Sequence, residues 1–413
     1  MALISFILGT HPALSIAELK AVLGDGVKFV AVGKEAVIVD GDVGDLAALQ
    51  KRLGGVVKIG LVDEIVDRRS WSVDRNTESI TQLVTDVLGT ARTRAYFGIS
   101  VYEAGGEVAE VQKMRRQVKV MGPAIKRALQ EHYERVRWAV SREPVLSSVA
   151  VVKNKLLPPE GVEVQILGVR SQESGVRVGC YLGHTVTVQP FEEYGARDFG
   201  RPVRDARSGI IPPKLAQMMV NLACPASGGG GSNSGGTILD PFCGSGTILQ
   251  EALLLGHHVI GSDISAKAVA DAQINLEWLT ESCQLSAVSC QKRVEQHDVL
   301  NLIEWLKDGE VNAIVTEPYL GPQQASKLQV QKAVAELSAL YLKAFEQFAK
   351  ILKPGHKVVM VWPVFTSGRE RVFLSIDQQV QRLGFTLLTK RGELVYGREG
   401  QRVQREVLIL RRS

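Results

Sequence analysis

The spacing of apolar positions changes character twice along the chain. Ile4 to Leu8 forms a short apolar run, and Ser15-Ile16-Ala17-Glu18 has the form of a capping box opening a helix that stops near Gly24. Val27 to Val32 and Ala36 to Val39 read as strands, Leu46 to Leu53 as a second helix, and Val56 to Val66 as another strand. The order β-α-β-β-α-β over residues 1–66 predicts a ferredoxin-like domain. A second α/β region, residues 67–188, shows a helix around Ile80 to Leu88, a strand at Arg94 to Val101 and a basic helix from about Met121 to Tyr133. Strands follow near Val136 and at Ser147 to Val152, Val162 to Leu167 and Arg177 to Val188. Over residues 189–413, strands alternate with helices, which predicts a parallel sheet. The side-chain-poor stretch PASGGGGSNSGG at 225–236 reads as a flexible surface insertion in that domain, with a low-complexity linker as the competing view.

Within the third region, Thr237 to Asp240 is a buried-strand signal that runs into Pro241-Phe242-Cys243-Gly244-Ser245-Gly246-Thr247 and then an apolar helix, Ile248 to Leu255. Two glycines allow a tight turn and close backbone approach to a ligand at a helix N-terminus. The third glycine of a dinucleotide fingerprint is missing, and an acid precedes the turn. His258 to Asp263 is a second strand ending in a carboxylate, placed where an acid receives ribose hydroxyls. Asp298 could end a third strand and accept from an adenine amino group. Asn312 to Thr316 is a fourth, closed by Glu317-Pro318-Tyr319. Four strand ends thus outline a nucleoside-shaped crevice, and the glycine pattern favours S-adenosylmethionine over NAD.

Composition narrows the class. The 413 residues are 45% hydrophobic and 23% charged, which excludes disorder, and no run reaches the roughly 18 to 20 apolar residues of a membrane span. Five scattered cysteines without a C-x-x-C pair support neither a disulfide framework nor a zinc site, so a reducing cytoplasm and no metal are expected. His257-His258 reads as a solvated loop, and Cys243 as a small apolar residue facing the sheet. The net charge of +5 hides an uneven distribution, because Lys113 to Lys155 holds 11 basic against 3 acidic residues. Lys113, Arg115, Arg116, Lys119, Lys126, Arg127, Arg135, Arg137, Lys153 and Lys155 are the candidate contacts to a nucleic acid, with a solvated face as the bland alternative. The C-terminal arginines, Arg405 among them, read in part as edge charges that block strand pairing.

DPFCGSGT, GSDIS and the acid-Pro-aromatic turn resemble motifs of amino-group methyltransferases with a class I Rossmann-like fold. Residues 197–202 (RDFGRP) and 208–216 (SGIIPPKLA) are similar to the segment preceding the first strand in the THUMP-domain tRNA guanosine-10 N2-methyltransferases. The N-terminal region resembles that family's ferredoxin-like and THUMP domains. The resemblance implies tRNA as partner and assigns Asp240, Phe242, Gly244 and Gly246 to the methionine and sugar end of S-adenosylmethionine. It further assigns Asp263 with Ile264 to the ribose side, Asp298 with Val299 to the adenine, and Pro212 to a helix packed at the methionine end. Glu317, Pro318 and Tyr319 take the catalytic turn. Here the chain departs from the family's Asp or Asn, Pro, Pro, Tyr pattern, for Tyr319 stands at the second Pro and Leu320 at the aromatic position. Methylation of rRNA or of adenine in DNA, and tRNA binding by a degenerate methyltransferase domain, stay open at this point. So does a requirement for a small activator subunit.

Overall fold

The computed structural model describes residues 3–67, 72–170, 178–204, 210–224, 236–282, 290–323, 326–367, 370–398 and 400–413. Most of the Gly-rich insertion and residues 208–209 of the preceding motif lie outside this set. The chain divides into two compact units, Met1–Ile16 with Asp25–Phe191, and Ala17–Gly24 with Glu192–Ser413.

The chain opens with β1 (Leu3–Leu8), α1 (Pro12–Leu23), β2 (Lys28–Val32), β3 (Ala36–Asp40), α2 (Leu46–Arg52) and β4 (Val56–Asp67). The four strands pair antiparallel in the order β2-β3-β1-β4, the ferredoxin-like arrangement expected from the pattern. Helix α1 starts three residues before the expected capping box, with Pro12 in its first turn, where a missing amide costs nothing. Ser15 is therefore inside the helix, and its hydroxyl donates to the carbonyls of His11 and Gly55 rather than capping.

The next elements are α3 (Val73–Leu88), β5 (Arg94–Glu103), α4 (Val108–Leu129), β6 (Arg135–Ala139), α5 (Ser148–Lys153), β7 (Gly161–Gly168) and β8 (Val178–Val188). Their strands extend the first four into one eight-stranded sheet, β2-β3-β1-β4-β8-β7-β5-β6. Helices α3 and α4 bury Ile80, Val84, Met121 and Ile125 with Phe97 and Val164 of the sheet. The basic helix begins well before Met121, because Val111 and Met114 continue its buried stripe beneath the charges. A Cβ on Gly122 would lie 2.2 Å from the Trp138 ring, so only glycine lets β6 set its indole against α4. The strand expected at Ser147 to Val152 is instead α5: the Ser147 hydroxyl accepts from the Ala150 amide at 3.1 Å, and this cap outweighs the β-branched run behind it.

A buried polar chain crosses this sheet. Lys58 Nζ, on β4, donates to Glu163 on β7 at 2.5 Å, to Tyr102 on β5 at 2.8 Å and to the Leu146 carbonyl at 2.6 Å. Ser100 and Thr185 also donate to the Glu163 carboxylate, each at 2.6 Å, while Gln165 links Thr185 to Ser5 of β1. Burial pushes the Lys58 ammonium below its ordinary range, and Glu163 pulls it back. Each charge is partnered, as burial of this depth requires.

The second unit contains α6 (Phe191–Gly195), a π-helical turn Ala196–Gly200 and α7 (Pro213–Ala223). Then come β9 (Thr237–Asp240), α8 (Thr247–Leu254), β10 (His258–Asp263), α9 (Ala266–Ser282), β11 (Lys292–Gln296), α10 (Leu302–Trp305), β12 (Ala313–Thr316) and α11 (Lys327–Ile351). The chain closes with β13 (Lys357–Ser367), β14 (Glu370–Phe373), α12 (Asp377–Arg382), β15 (Phe385–Leu387), β16 (Val395–Tyr396) and β17 (Val403–Arg412). The main sheet runs β11-β10-β9-β12-β13-β17-β15, parallel from β11 to β13, with β17 antiparallel between β13 and β15. After β9 the chain builds outward through β10 to β11, then returns to place β12 on the other side of β9. The crevice at the carboxyl ends of β9 and β12 is the switch point at which open α/β sheets take ligands. Among the described residues no helix is long and apolar enough to cross a membrane.

Candidate active site

A cleft of about 530 Å³ opens at this switch point. Asp240, Phe242, Gly244, Asp263, Ile264, Asp298 and Val299 line it, and so do Glu317, Pro318 and Tyr319. Residues expected from the four separate strand ends thus meet in one place. Gly246 and Pro212 do not line the cleft but shape its wall. Gly246 precedes α8 with φ 83°, and a Cβ there would also lie 3.2 Å from Ala272. Pro212 precedes the first turn of α7, leaving Ile210 and Ile211 on the cleft wall.

The Gly-rich turn is held from its neighbours. Asp263, at the end of β10, accepts from the Gly244 amide at 3.1 Å and the Ser265 amide at 2.9 Å. Asn275 of α9 donates to the Ser245 carbonyl and pairs with both backbone groups of Val203. Arg197 makes a two-pronged ion pair with buried Glu251 of α8, at 2.6 and 3.2 Å, and Arg201 donates to Thr247 at 2.6 Å. The 197–202 segment, read from the sequence as a motif, and Val203 after it are therefore fastened to the turn and its helix. Cys243 is buried under the turn and its thiol is pushed well up by burial, as a packing residue's would be. The His pair is not a solvated loop: His257 is buried, and His258 opens β10 and accepts from the Gln291 amide. Among the described residues no group of side chains could hold a metal ion.

Asp240 is an acid whose pKa the cleft shifts strongly. It is buried, accepting from Thr316 Oγ1 at 2.6 Å and the Phe242 amide at 3.2 Å. Burial pushes its pKa up to about 7; the two hydrogen bonds oppose this, and the carboxylates of Asp263 and Glu317 add to it. Keeping it charged thus costs the fold stability, a cost that grows as pH rises from the ordinary carboxylate range to about 7. A cationic ligand group would relieve that cost. The methionine ammonium of S-adenosylmethionine fits, and Asp263 and Asp298 line the same cleft. Asp298 uses Oδ1 to cap Val299–Asn301 through the Leu300 amide, leaving Oδ2 outside that bond. We expect affinity for this cofactor to fall about tenfold between pH 7.5 and 5.5 as Asp240 takes up its proton. In Asp240→Asn the fall should vanish and affinity should be low throughout, which calorimetry in buffers of different ionisation enthalpy measures directly.

Glu317, which lines the same cleft, follows β12. Its carboxylate is nearly buried and accepts from Arg405 Nε of β17 at 2.5 Å, with side-chain exposures of 10% and 11% for the two partners. Burial raises the carboxyl above its usual range and Arg405 opposes the rise. Tyr319 is 64% exposed at the cleft, whereas Leu320 is 8% exposed and packed inward. The Tyr319 carbonyl accepts from the Tyr341 hydroxyl at 2.9 Å, and Gly321 turns the chain with φ 89°. The accessible aromatic is thus Tyr319, one place earlier than in the related pattern.

Arg405 is the site residue that sequence reasoning passed over. Of the other C-terminal arginines, Arg391 pairs with Asp377 and Glu406, and Arg412 donates to the Gly384 carbonyl. They belong to the fold and not to a solvated edge. In the first unit, Lys113, Arg116, Lys119, Lys126 and Arg127 are exposed on α4, and Arg135 and Arg137 on β6. Lys153 and Lys155 are exposed at the end of α5, Lys155 paired with Glu160. Arg115 differs: it is held by Glu35 at 2.6 Å and by the Val101 carbonyl, with 13% of its side chain exposed.

The sheet order and the acid-lined switch point are those of a class I Rossmann-like domain. Residues 201–364, less than half of the chain, match the family model described as the RMKL-like methyltransferase domain, UPF0020. The tRNA (guanine(10)-N2)-dimethyltransferase of Methanocaldococcus jannaschii is 38% identical over 129 residues, which are 31% of this chain and 34% of that one. The enzyme of the same name from Pyrococcus abyssi is 29% identical over 181 residues, 43% and 44% of the two chains. The chain thus spans about a third to under half of the length of the curated relatives it matches. Among solved structures, TrmN from Thermus thermophilus superposes with a TM-score of 0.52 at 20% identity, covering 100% of both chains, a likeness of fold.

Proposed function

We propose that this protein is an S-adenosylmethionine-dependent methyltransferase acting on the exocyclic N2 amine of a guanosine in tRNA, at position 10. The observation that carries the reading is the meeting of Asp240, Asp263, Asp298 and the Glu317-Pro318-Tyr319 turn in one switch-point cleft. The names of the matched relatives supply the base and the RNA. When bound, S-adenosylmethionine supplies an electrophilic methyl group, whose bonding pair stays with sulfur as the methyl leaves. Asp240 holds the cofactor's ammonium and Asp263 its ribose hydroxyls. A purine amine is a poor nucleophile because its lone pair is delocalised into the ring. Glu317 Oε2 and the Pro318 carbonyl accept its two hydrogens, which draws the lone pair out of conjugation and aims it at the methyl. Glu317 then takes the proton that the methylated nitrogen sheds and passes it to solvent. Tyr319 stacks on the extruded base.

In this reading residues 1–66 and the THUMP-like 67–188 grip folded RNA through phosphates, so that geometry rather than base reading sets the target. Replacing Lys126, Arg127, Arg135 and Arg137 by Ala should weaken tRNA binding and flatten its salt dependence by about three to four units of log–log slope, with cofactor affinity unchanged. A salt slope equal to the wild type's would reduce the basic block to a solvated surface. The whole proposal is tested by methyl transfer from labelled S-adenosylmethionine to unmodified total tRNA followed by nucleoside analysis. N2-methylguanosine supports it. Label in rRNA or in DNA adenine redirects it, and tRNA binding without any transfer leaves a binding protein.

A further inference from the structure

The catalytic turn of this chain carries a glutamate where related turns carry a shorter acid or amide, and the structure gives that glutamate a partner. Arg405 stands on β17, opposite Pro363 of β13. Thr316, the residue before Glu317, stands opposite Met360 on the other edge of β13. The arginine side chain therefore reaches across one intervening strand, about 5 Å per strand spacing, to meet a side chain that starts from β12. The extra methylene of glutamate shortens the same gap from the other side. Arg405 also approaches the Ile210 carbonyl, at 3.5 Å, and lines the cleft together with Glu317.

We infer that Arg405 is a positioning residue for Glu317: it holds Oε1 so that Oε2 is the oxygen offered to the target amine, and it keeps the carboxylate ionised in a buried site. This rests on the amine-methylation reading above. A carboxylate so deeply buried without a counter-ion would take up a proton and present a hydroxyl, which cannot accept both from an arginine and from an amine in the same way. The other ionisable groups around it do not supply the missing positive charge. Asp240 on β9 and Tyr341 on α11 both feel the Glu317 charge as repulsive, and Tyr396 on β16 lies beside Arg405. The ion pair is charge-assisted and nearly dry, which is the setting in which such a contact is strongest.

The test uses Arg405→Met and Arg405→Lys in the full chain, with calorimetric cofactor binding as the check that each variant is folded. Carbon-13 NMR of labelled glutamate carboxyls, with the Glu317 signal assigned by Glu317→Gln, reads the titration without any RNA. Arg405→Met should raise the Glu317 midpoint by about one pH unit or more, and Arg405→Lys by less. The acid limb of the single-turnover rate should move by the same amount, while cofactor and tRNA affinities stay within about twofold. On the Glu317→Gln background, where position 317 no longer titrates, adding Arg405→Met should change the rate by less than about twofold and shift no limb. An unmoved Glu317 midpoint, or an Arg405→Met penalty that persists in full on the Glu317→Gln background, overturns the inference. A wild-type protein inert on unmodified tRNA sinks the tRNA reading instead, and the carboxyl titration still decides the pair.

Discussion

Glu317→Ala is expected to lower the single-turnover methylation rate by about a hundredfold or more, the scale of one preorganised polar contact at a reacting centre, with cofactor and tRNA affinities nearly unchanged. The carboxylate is buried, points from the end of β12 into the cleft and already has its orientation fixed, so its removal takes away an acceptor without remodelling the cofactor end. It also leaves the Arg405 guanidinium without its counter-charge. Glu317→Ala should for that reason melt at a lower temperature, whereas Glu317→Gln keeps an acceptor oxygen and the shape of the side chain. Glu317→Asp should retain more activity than Ala and less than wild type, because the shorter acid cannot reach both Arg405 and an amine placed for glutamate. Tyr319→Ala should be slow as well. Leu320→Ala should cost stability through its lost packing but spare the chemistry. If Leu320 proved critical for turnover and Tyr319 dispensable, the assignment of the stacking role to Tyr319 would be wrong.

Asp263→Ala is expected to weaken cofactor binding by about 1.5 to 3 kcal/mol, or roughly 10- to 150-fold, since hydrogen bonds to a charged acceptor carry that weight. The structure adds a reason for the upper end of the range. Besides any ribose hydroxyls, this carboxylate receives the amides of Gly244 and Ser265, so its removal frees the turn that must lie against the ligand. Titration calorimetry on the purified variant measures the loss. A dissociation constant equal to the wild type's would remove Asp263 from the binding site.

Local signals carried most of the cleft into the sequence reading. The run from Thr237 to Leu255 contains a strand, its turn and its helix within one stretch, and the acids at 240, 263 and 317 each close or follow their own buried strand, whereas Asp298 follows the mostly polar Lys292–Gln296. What escaped depends on distance. Arg405 is 88 positions from Glu317, in a strand whose outer residues look like those of any solvated edge. Nothing near it marks it as an active-site residue. The short helix at Ser148–Lys153 shows the opposite failure, a local apolar and β-branched run overruled by a single capping hydroxyl. Lys58 and Glu163 left a fainter trace: Glu163 is the lone charge of β7, and Lys58 interrupts the apolar start of β4 between Val57 and Ile59, and only together do two such anomalies signify a buried pair.

That pair bears on how the N-terminal half could be inherited or transplanted. The polar chain from Ser5 through Gln165, Thr185, Glu163 and Lys58 to Tyr102 draws members from β1, β4, β5, β7 and β8. A chain cut between β4 and α3 would strand Glu163 in an apolar sheet with no ammonium beside it and lay bare the edge of β8. Either fault alone invites misfolding or association through the open edge. The strands β1 to β8 are therefore a single transferable part, and a chimera should exchange the whole sheet.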